Sequence, residues 1–560
     1  MRAEGRAPSP NGGAPRPTRG APRPTRGAEL YTDGRTAFLP SAVNVEDGAT
    51  IRGDRTVKVD VCVIGTGAGG APVAKELAEG GMGVAMLEEG PHFTTSDFNA
   101  RPRDMLVELY RDAGQTATLG NTPILLPLGR SIGGTTLINS GTSFRTPEPV
   151  LEMWRERFGL ESMSAAALDP IFRRVERIQN VVQVPPEYAG RNAHIVKRGA
   201  EALGWSGDFV YRNVRGCVGS GICTFGCPTS AKQHVGLTYV PQAWEAGATT
   251  YTGCRATRLD VQNGRIRAVE ARTSAGGRLR VECDVAVVAA GAIATPLFLA
   301  RQGLGGESGE LGRNLSIHPA SGVRALMDEE VDMAKGVPQS YFIDEFADEG
   351  IMLEGAAGPP DYAAMSFPFS GERHRDLMLQ YLHISQFGIM VSDTSRGHVR
   401  ERAGRVEIHY DLNAEDTATF KRGIGLLCEL YFAAGARVVY APVDRVAELR
   451  DGDLRPLHDL DMRPSNLTLL AFHPMGTARA DARPGSGVVD ENLAVRGVEG
   501  VYVADASVVP SSLGVNPQIT IMTLATRLAF HLLGTAPPQD EPEPESIARP
   551  RITRPHALTA

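Results

Sequence analysis

No run of about 20 apolar residues, the length a membrane-crossing helix needs, occurs in this sequence of 560 residues. Cysteine is scarce too: seven in 560 residues do not make the dense disulfide framework of a small secreted domain. A basic surplus is missing. The formal net charge is −7 and the isoelectric point about 6.0, which argues against a nucleic-acid binder with its concentrated positive face. The N-terminal MRAEGRAPSPNGG contains no apolar stretch of the kind a secretory leader carries, so a cytoplasmic protein is the simplest expectation. What is present is an ordinary globular balance, 42% hydrophobic and 22% charged. The length exceeds one simple domain, so two joined lobes are expected.

Both ends differ from the middle. A heptad, GAPRPTR, occurs twice in tandem at 13–19 and 20–26. Residues 1–50 are rich in Pro, Gly and Arg with little to bury, and are expected to be disordered. The same holds for 536–560, which contains PPQDEPEPES. Between them, VKVDVCVIG reads as a buried strand, followed by a glycine turn and a helix to about Glu79; GVAMLEEG reads as a second strand. That is a βαβ opening. Strand signals recur in RATRLDV, RIRAVEAR, DVAVVAAG, YLHISQFGIMVSD and GRVEIHYDL, and a helix is expected around 417–435. Motifs crowd the two ends of this core. The expected fold is therefore α/β: a Rossmann-like dinucleotide domain over 56–320, resumed over 461–535, with an inserted α+β domain containing an antiparallel sheet over 321–460.

Gly65, Gly67 and Gly70 form a GxGxxG turn between the first strand and its helix. The first glycine permits the turn, the second lets the backbone approach a pyrophosphate, and the third allows close helix–strand packing. The helix N-terminus offers free N–H groups to phosphates. Glu88 ends the second strand 18 residues after Gly70, where a carboxylate can accept both ribose hydroxyls. These residues do not by themselves separate FAD from NAD.

Four further segments, in order, resemble the signatures of the glucose–methanol–choline (GMC) family of FAD-dependent oxidoreductases. They are the loop from Gly129 and Arg130 through Gly133 and Gly134 to Asn139; Gly291 to Leu299; Leu311 to Leu315 with His318 and Pro319; and the block from His473 through Asp505 to Asn516 and Pro517. The resemblance spans about residues 58–535. It implies FAD, with Gly65, Gly67 and Gly70 at the pyrophosphate, Glu88 at the AMP ribose, and Ala256 where a small apolar residue contacts adenine. Arg130, Gly133, Gly134 and Asn139 would line the pyrophosphate and ring, Asp505 the pyrophosphate or ribityl chain, and Asn516 and Pro517 the reactive ring. Some relatives bond the flavin to a His just before Asn139; Ile138 stands there, so non-covalent FAD is expected. The resemblance also implies a catalytic pair, His473 and, 43 residues on, Asn516. Histidine suits a base whose pKa lies near working pH, and Asn516 can hold a hydroxyl. His318 matches a recurrent family position, without an assigned role.

Cys217, Cys223 and Cys227 have the spacing C-x5-C-x3-C. Three such thiolates could hold an iron–sulfur cluster, and the alternative is a structural loop of reduced cysteines. Cys62, Cys254, Cys283 and Cys428 read as buried thiols. Asp344, Glu345, Asp348 and Glu349 could rim a pocket for a cationic substrate such as an amino sugar, although a charge run is more often a solvated face. The expected reaction is oxidation of an alcohol to an aldehyde or ketone, with oxygen or another electron acceptor. The family includes bacterial enzymes that oxidise the 6'-hydroxyl of aminoglycoside intermediates, which would place the chain in antibiotic biosynthesis. An iron–sulfur-assisted dehydrogenase and a non-redox FAD-containing lyase are the alternatives.

Overall fold

The computed structural model describes residues 43–355, 357–367, 369–539 and 550–553. The tandem GAPRPTR repeat and the PPQDEPEPES run, but for its first few residues, lie outside them.

A six-stranded parallel sheet forms the cofactor lobe. Its spatial order is Val45–Asp47, Thr249–Thr252, Val84–Leu87, Val61–Ile64, Val285–Val288 and Val501–Val503. The strands Val61–Ile64 and Val84–Leu87 are buried at every position, as a parallel sheet covered on both faces requires. Helix Gly70–Glu79 packs on one face against Tyr239–Glu245 and Gln518–Leu533. The last strand arrives more than 200 residues after the fifth, so the lobe is assembled from both ends of the core. A four-stranded sheet (Cys254–Gln262, Arg265–Thr273, Arg278–Glu282, Asp54–Lys58) flanks it.

The second lobe is built on an antiparallel sheet. Its central strands, Pro319–Leu326, Ile384–Val391 and Ile351–Glu354, lie side by side and are backed by helix Ala414–Ala433. The sheet is not confined to 321–460. It takes Ile124–Leu125 and Gly207–Phe209 from earlier in the chain and Leu469–Ala471 from later. Short strands of two or three residues carry too little periodicity to be read alone; they form because an edge is waiting for them.

Both tail boundaries need correction. Val45–Asp47 pairs in parallel with Thr250–Thr252 and closes the cofactor sheet, and Ile51 is buried. At the other end Pro550–Thr553 docks on the second lobe. The Arg551 N–H donates to Asp344 at 2.8 Å and the Thr553 N–H to Asp348 at 2.7 Å. Ile552 packs against the core beside Gly514.

Candidate active site

Three glycine-rich segments meet at one end of the parallel sheet. Gly65 is left-handed, with φ 103°, and its missing Cβ would lie 2.3 Å from the Ala289 carbonyl oxygen. A Cβ on Gly70 would lie 2.0 Å from the Gly65 carbonyl oxygen, so the third glycine lets the helix start against the turn. Gly67 is different. A Cβ there would meet nothing closer than the Gly134 Cα at 3.9 Å, so its backbone faces open space. Gly133 and Gly134, both left-handed, bring the second loop against the first, and the Gly133 N–H donates to Thr66 Oγ1 at 3.3 Å. Glu88 ends the second strand, buried, accepting from Thr66 Oγ1 at 2.7 Å and the Gly90 N–H at 2.8 Å. Burial raises its carboxyl above the usual range, against the pull of the Thr66 hydrogen bond. Asp505 accepts from Thr295 Oγ1 at 2.5 Å and the Gly291 N–H at 2.8 Å, and burial raises it too.

The sequence did not single out Gly69. A Cβ on it would lie 1.5 Å from the Ala504 carbonyl oxygen, a backbone atom that cannot yield. Gly69→Ala is expected to cost about 3 kcal/mol or more of stability, at the upper end of overpacking penalties, read as a lowered thermal midpoint and lost flavin content.

The remaining expected cofactor residues are spread along this cleft. Asn139 donates to Gln518 Oε1 at 2.8 Å and accepts from the Gly141 N–H at 3.0 Å, so its amide braces the loop. Pro517 caps helix Gln518–Leu533 and places Asn516 at its N-terminus. Arg130 is exposed and contributes to holding the Glu89 carboxyl below its usual range, after the larger pull of Arg111. Ala256 is half-buried on the strand that leaves the Glu88 carbonyl, to which the Cys254 N–H donates at 2.9 Å.

At the far end lies a cluster of imidazole, amide and carboxylate groups. Asp393, fully buried, accepts from Ser316 Oγ at 2.6 Å, from the Ile317 N–H at 3.0 Å and from Tyr410 OH at 2.8 Å. It also takes the His318 N–H, and His318 sits in a left-handed conformation at φ 45° that this carboxylate helps hold. The His318 ring is thereby turned toward two targets. Its Nε2 accepts the N–H groups of Leu513 and Gly514 at 2.9 and 3.2 Å, and its Nδ1 lies 3.2 Å from Nδ1 of His473. Since Nε2 of His318 is an acceptor, its proton resides on Nδ1 and is donated to His473; neutral His473 then carries its own proton on Nε2. That nitrogen lies 3.5 Å from Asn516 Nδ2. Burial, then the neighbouring His318, holds His473 well below the usual histidine range; burial, then Arg396, pulls His318 down to about 3. Both rings are neutral near pH 7.

Glu354 completes the cluster and was not foreseen. It accepts from Asn516 Nδ2 at 2.9 Å, and its second oxygen and Asn516 Oδ1 are buried with no hydrogen-bond partner of normal geometry among the described residues. Burial pushes its carboxyl up to about 7, against the pull of the Asn516 amide and then of the Gln339 amide. Its signal in the sequence is a lone charge ending the buried strand Ile351–Glu354, where a carboxylate has no packing role.

Two expected features acquire other roles. Cys217, Cys223 and Cys227 take separate partners: the Gly219 N–H, the Arg212 guanidinium and Thr229 Oγ1. No group of three or more metal-ligating side chains is arranged for an ion among the described residues, so the iron–sulfur reading gains no support. Lys232 fastens this loop to the cofactor loop by donating to the carbonyls of Leu137, Asn139 and Cys223. The acidic run is also spent on the chain itself. Asp344 accepts from Ser206 and Arg551, Glu345 from Ser206, Asp348 from Thr553, and Glu349 from Arg422. Among the described residues no helix is long and apolar enough to cross a membrane.

A glycine-lined parallel sheet joined to an antiparallel lobe that carries paired histidines defines a flavin-dependent oxidoreductase of the class that acts on alcohols. The chain belongs to the GMC oxidoreductase family: the family's N-terminal profile matches residues 106–320 and its C-terminal profile 393–525. It is 40% identical over 479 residues to an uncharacterized GMC-type oxidoreductase of Mycobacterium tuberculosis, covering 84% of this chain and 75% of that protein. It is 27% identical to a long-chain-alcohol oxidase of Arabidopsis thaliana (84% and 66% covered) and 25% identical to 6'''-hydroxyparomomycin C oxidase of Streptomyces lividus (84% and 92%). The fold is like that of pyridoxine 4-oxidase from Mesorbium loti, with a TM-score of 0.66 at 19% identity, covering 84% of this chain and 98% of that one.

GMC oxidoreductases bind FAD, and the residues present fit it. Gly67 leaves backbone facing open space, the helix behind it starts without a side-chain cap, and Glu88 and Asp505 are buried carboxylates beside the glycine turns.

Proposed function

We propose that the chain oxidises the CH–OH group of an alcohol with a largely apolar body, passing the electrons to oxygen. The observation that carries this is the convergence of two N–H donors, His473 Nε2 and Asn516 Nδ2, 3.5 Å apart. Two donors facing one another do not bond; an oxygen between them satisfies both. That is a seat for a carbinol oxygen, and it stabilises the alkoxide character that grows as hydride leaves. Glu354, with one oxygen outside any hydrogen bond of normal geometry among the described residues and a pKa near neutrality, is suited to receive the hydroxyl proton. This revises the role expected for His473 from base to donor; Asn516 keeps its role as holder. His318 and Asp393 are positioning residues.

FAD would be held by Gly65, Gly67, Gly70, Glu88, Gly133, Gly134 and Asp505, and when bound it supplies the two-electron acceptor. The balance is one alcohol and one dioxygen to one carbonyl compound and one hydrogen peroxide. The names of the Arabidopsis and Streptomyces relatives support an oxidase over a dehydrogenase. Leu470 is half-buried and Phe472, next to His473, is 43% exposed, which supports an apolar substrate. An amino sugar keeps the support of the Streptomyces relative but loses that of the acidic run, whose carboxylates are engaged elsewhere.

The test is an anaerobic screen of the purified yellow protein. Medium- and long-chain primary alcohols are expected to bleach the flavin faster than sugars or amino sugars at equal concentration. Bleaching by amino sugars alone would overturn the apolar reading, and bleaching by no alcohol would overturn alcohol oxidation itself.

A further inference from the structure

We propose that Arg324 forms an anion-binding subsite on the substrate-facing side of the antiparallel sheet, so that the preferred alcohol carries a carboxylate or phosphate remote from its carbinol. This deepens the alcohol-oxidation reading and rests on it.

The face follows from register. Ile389 abuts helix Ala414–Ala433, where a Cβ on Gly423 would lie 1.9 Å from its Cδ1. Its neighbours Gln386, Gly388 and Met390 therefore point the other way, toward the side on which Glu354 meets Asn516. Arg324 pairs with Gln386 in register and donates Nε to its Oε1 at 3.1 Å, so it shares that face. Gly322 pairs with Gly388, and Gly388 lies against the Glu354 backbone. Glu354 and Arg324 are thus two strands and one two-residue step apart. At ~4.8 Å per strand and ~3.3 Å per residue, their Cα atoms are separated by roughly 12 Å.

The guanidinium is an unusual thing to find there. Arg324 is only 6% exposed and forms no ion pair among the described residues. Nη1 donates to the Gly322 carbonyl at 3.3 Å, and the Phe367 ring lies 5.4 Å away; Nη2 has no acceptor among the described residues. Burial lowers its pKa only to about 10, which leaves it cationic at neutral pH. A buried cation with no anion beside it is costly, and a planar fork with a spare N–H edge matches a carboxylate or phosphate.

Of the two glycines between Glu354 and Arg324, Gly388 is covered by the Glu354 and Gly355 backbone, while the position beside Arg324 is bare. Gly322 is half-buried, and a Cβ on it would find only the Phe387 carbonyl oxygen, at 3.4 Å. Met352, Met390 and Leu470 share the same face, by their pairing with one another and with Ala320. A hydrocarbon chain lying over Gly322 would join an alcohol at the His473 end to an acid at Arg324. Twelve ångströms corresponds to about ten bonds of an extended chain, at ~1.2 Å of reach per bond.

The experiment uses the FAD-loaded enzyme and its Arg324→Met variant. Anaerobic flavin reduction is followed with 10-hydroxydecanoate and with 1-decanol. Wild type is expected to favour the hydroxy acid, and Arg324→Met to raise the half-saturating concentration of the acid about 10–100-fold, the weight of a hydrogen bond to a charged group, with a much smaller change in limiting rate. Equal treatment of the two alcohols by wild type overturns the proposal. A second arm needs no turnover: decanoate and decyl phosphate are titrated into each protein by calorimetry. Binding to wild type that is lost in the variant supports the subsite, and the better ligand identifies the acid. Failure of both to bind, or equal binding to the variant, overturns it. If no alcohol bleaches the flavin, alcohol oxidation fails while calorimetry still decides on Arg324. Should Arg324→Met not fold, Arg324→Lys replaces it: a several-fold loss of decanoate affinity supports the fork, and unchanged affinity overturns it.

Discussion

Replacing His473 with Ala is expected to slow anaerobic flavin reduction by about 10²–10³-fold while leaving the protein yellow. The rate effect follows from geometry. In the proposed arrangement Nε2 of His473 is one of two donors aimed at the carbinol oxygen, and removing one preorganised donor has that weight. Retention of colour follows from the contacts. The His473 ring pairs with His318 and Asn516 and forms no hydrogen bond with the glycine loops among the described residues, so FAD has no reason to leave. The pH profile should also survive the substitution, because His473 is already neutral: burial holds its pKa well below the usual value. Rapid-mixing absorbance at the flavin band reads all three quantities. An unchanged reduction rate would remove His473 from the chemistry, and loss of flavin at purification would make it a cofactor residue.

The parts of the site legible in the sequence are those fixed by backbone needs. A turn that must hug a pyrophosphate requires glycines at set intervals, and Gly65, Gly67 and Gly70 stand where the helix start demands them. Glu88 is legible because the length of a βαβ unit fixes the distance to the end of its second strand. The segment carrying His473 is legible through its resemblance to the family's C-terminal block, in which Gly476 is left-handed at φ 87°.

What could not be read depends on pairs that only the fold creates. Glu354 and Asn516 are 162 residues apart, and nothing local to either announces the other. His318 gains its role from Asp393, 75 residues away, and from two N–H groups near residue 513. The acidic run was open between a pocket rim and a solvated face for the same reason: only the fold shows the Arg551 and Thr553 backbone lying on Asp344 and Asp348. The three clustered cysteines left a cluster and a structural loop both open, and the fold supports the loop. Nearness in sequence suggested a common ligand, while the folded loop turns each sulfur to a different partner.

The profile of activity against pH should separate the two candidate proton acceptors, and Glu354→Gln should decide between them. A base must be deprotonated to act. The Glu354 carboxyl titrates near 7 because burial penalises its charged form. If it receives the proton, flavin reduction should be flat above about pH 7 and fall toward tenfold per unit below it. If His473 were the base, its strongly lowered pKa would keep it competent far into acid, and no limb near 7 would appear. In Glu354→Gln the side chain keeps its size and can still bond the Asn516 amide, but it cannot take a proton. The expected result is a reduction rate lower by about 10²–10⁴-fold, with the acid limb abolished. A variant that is slow but retains the limb near pH 7 would assign the titration to another group. One that keeps both rate and limb would reduce Glu354 to an anchor for Asn516.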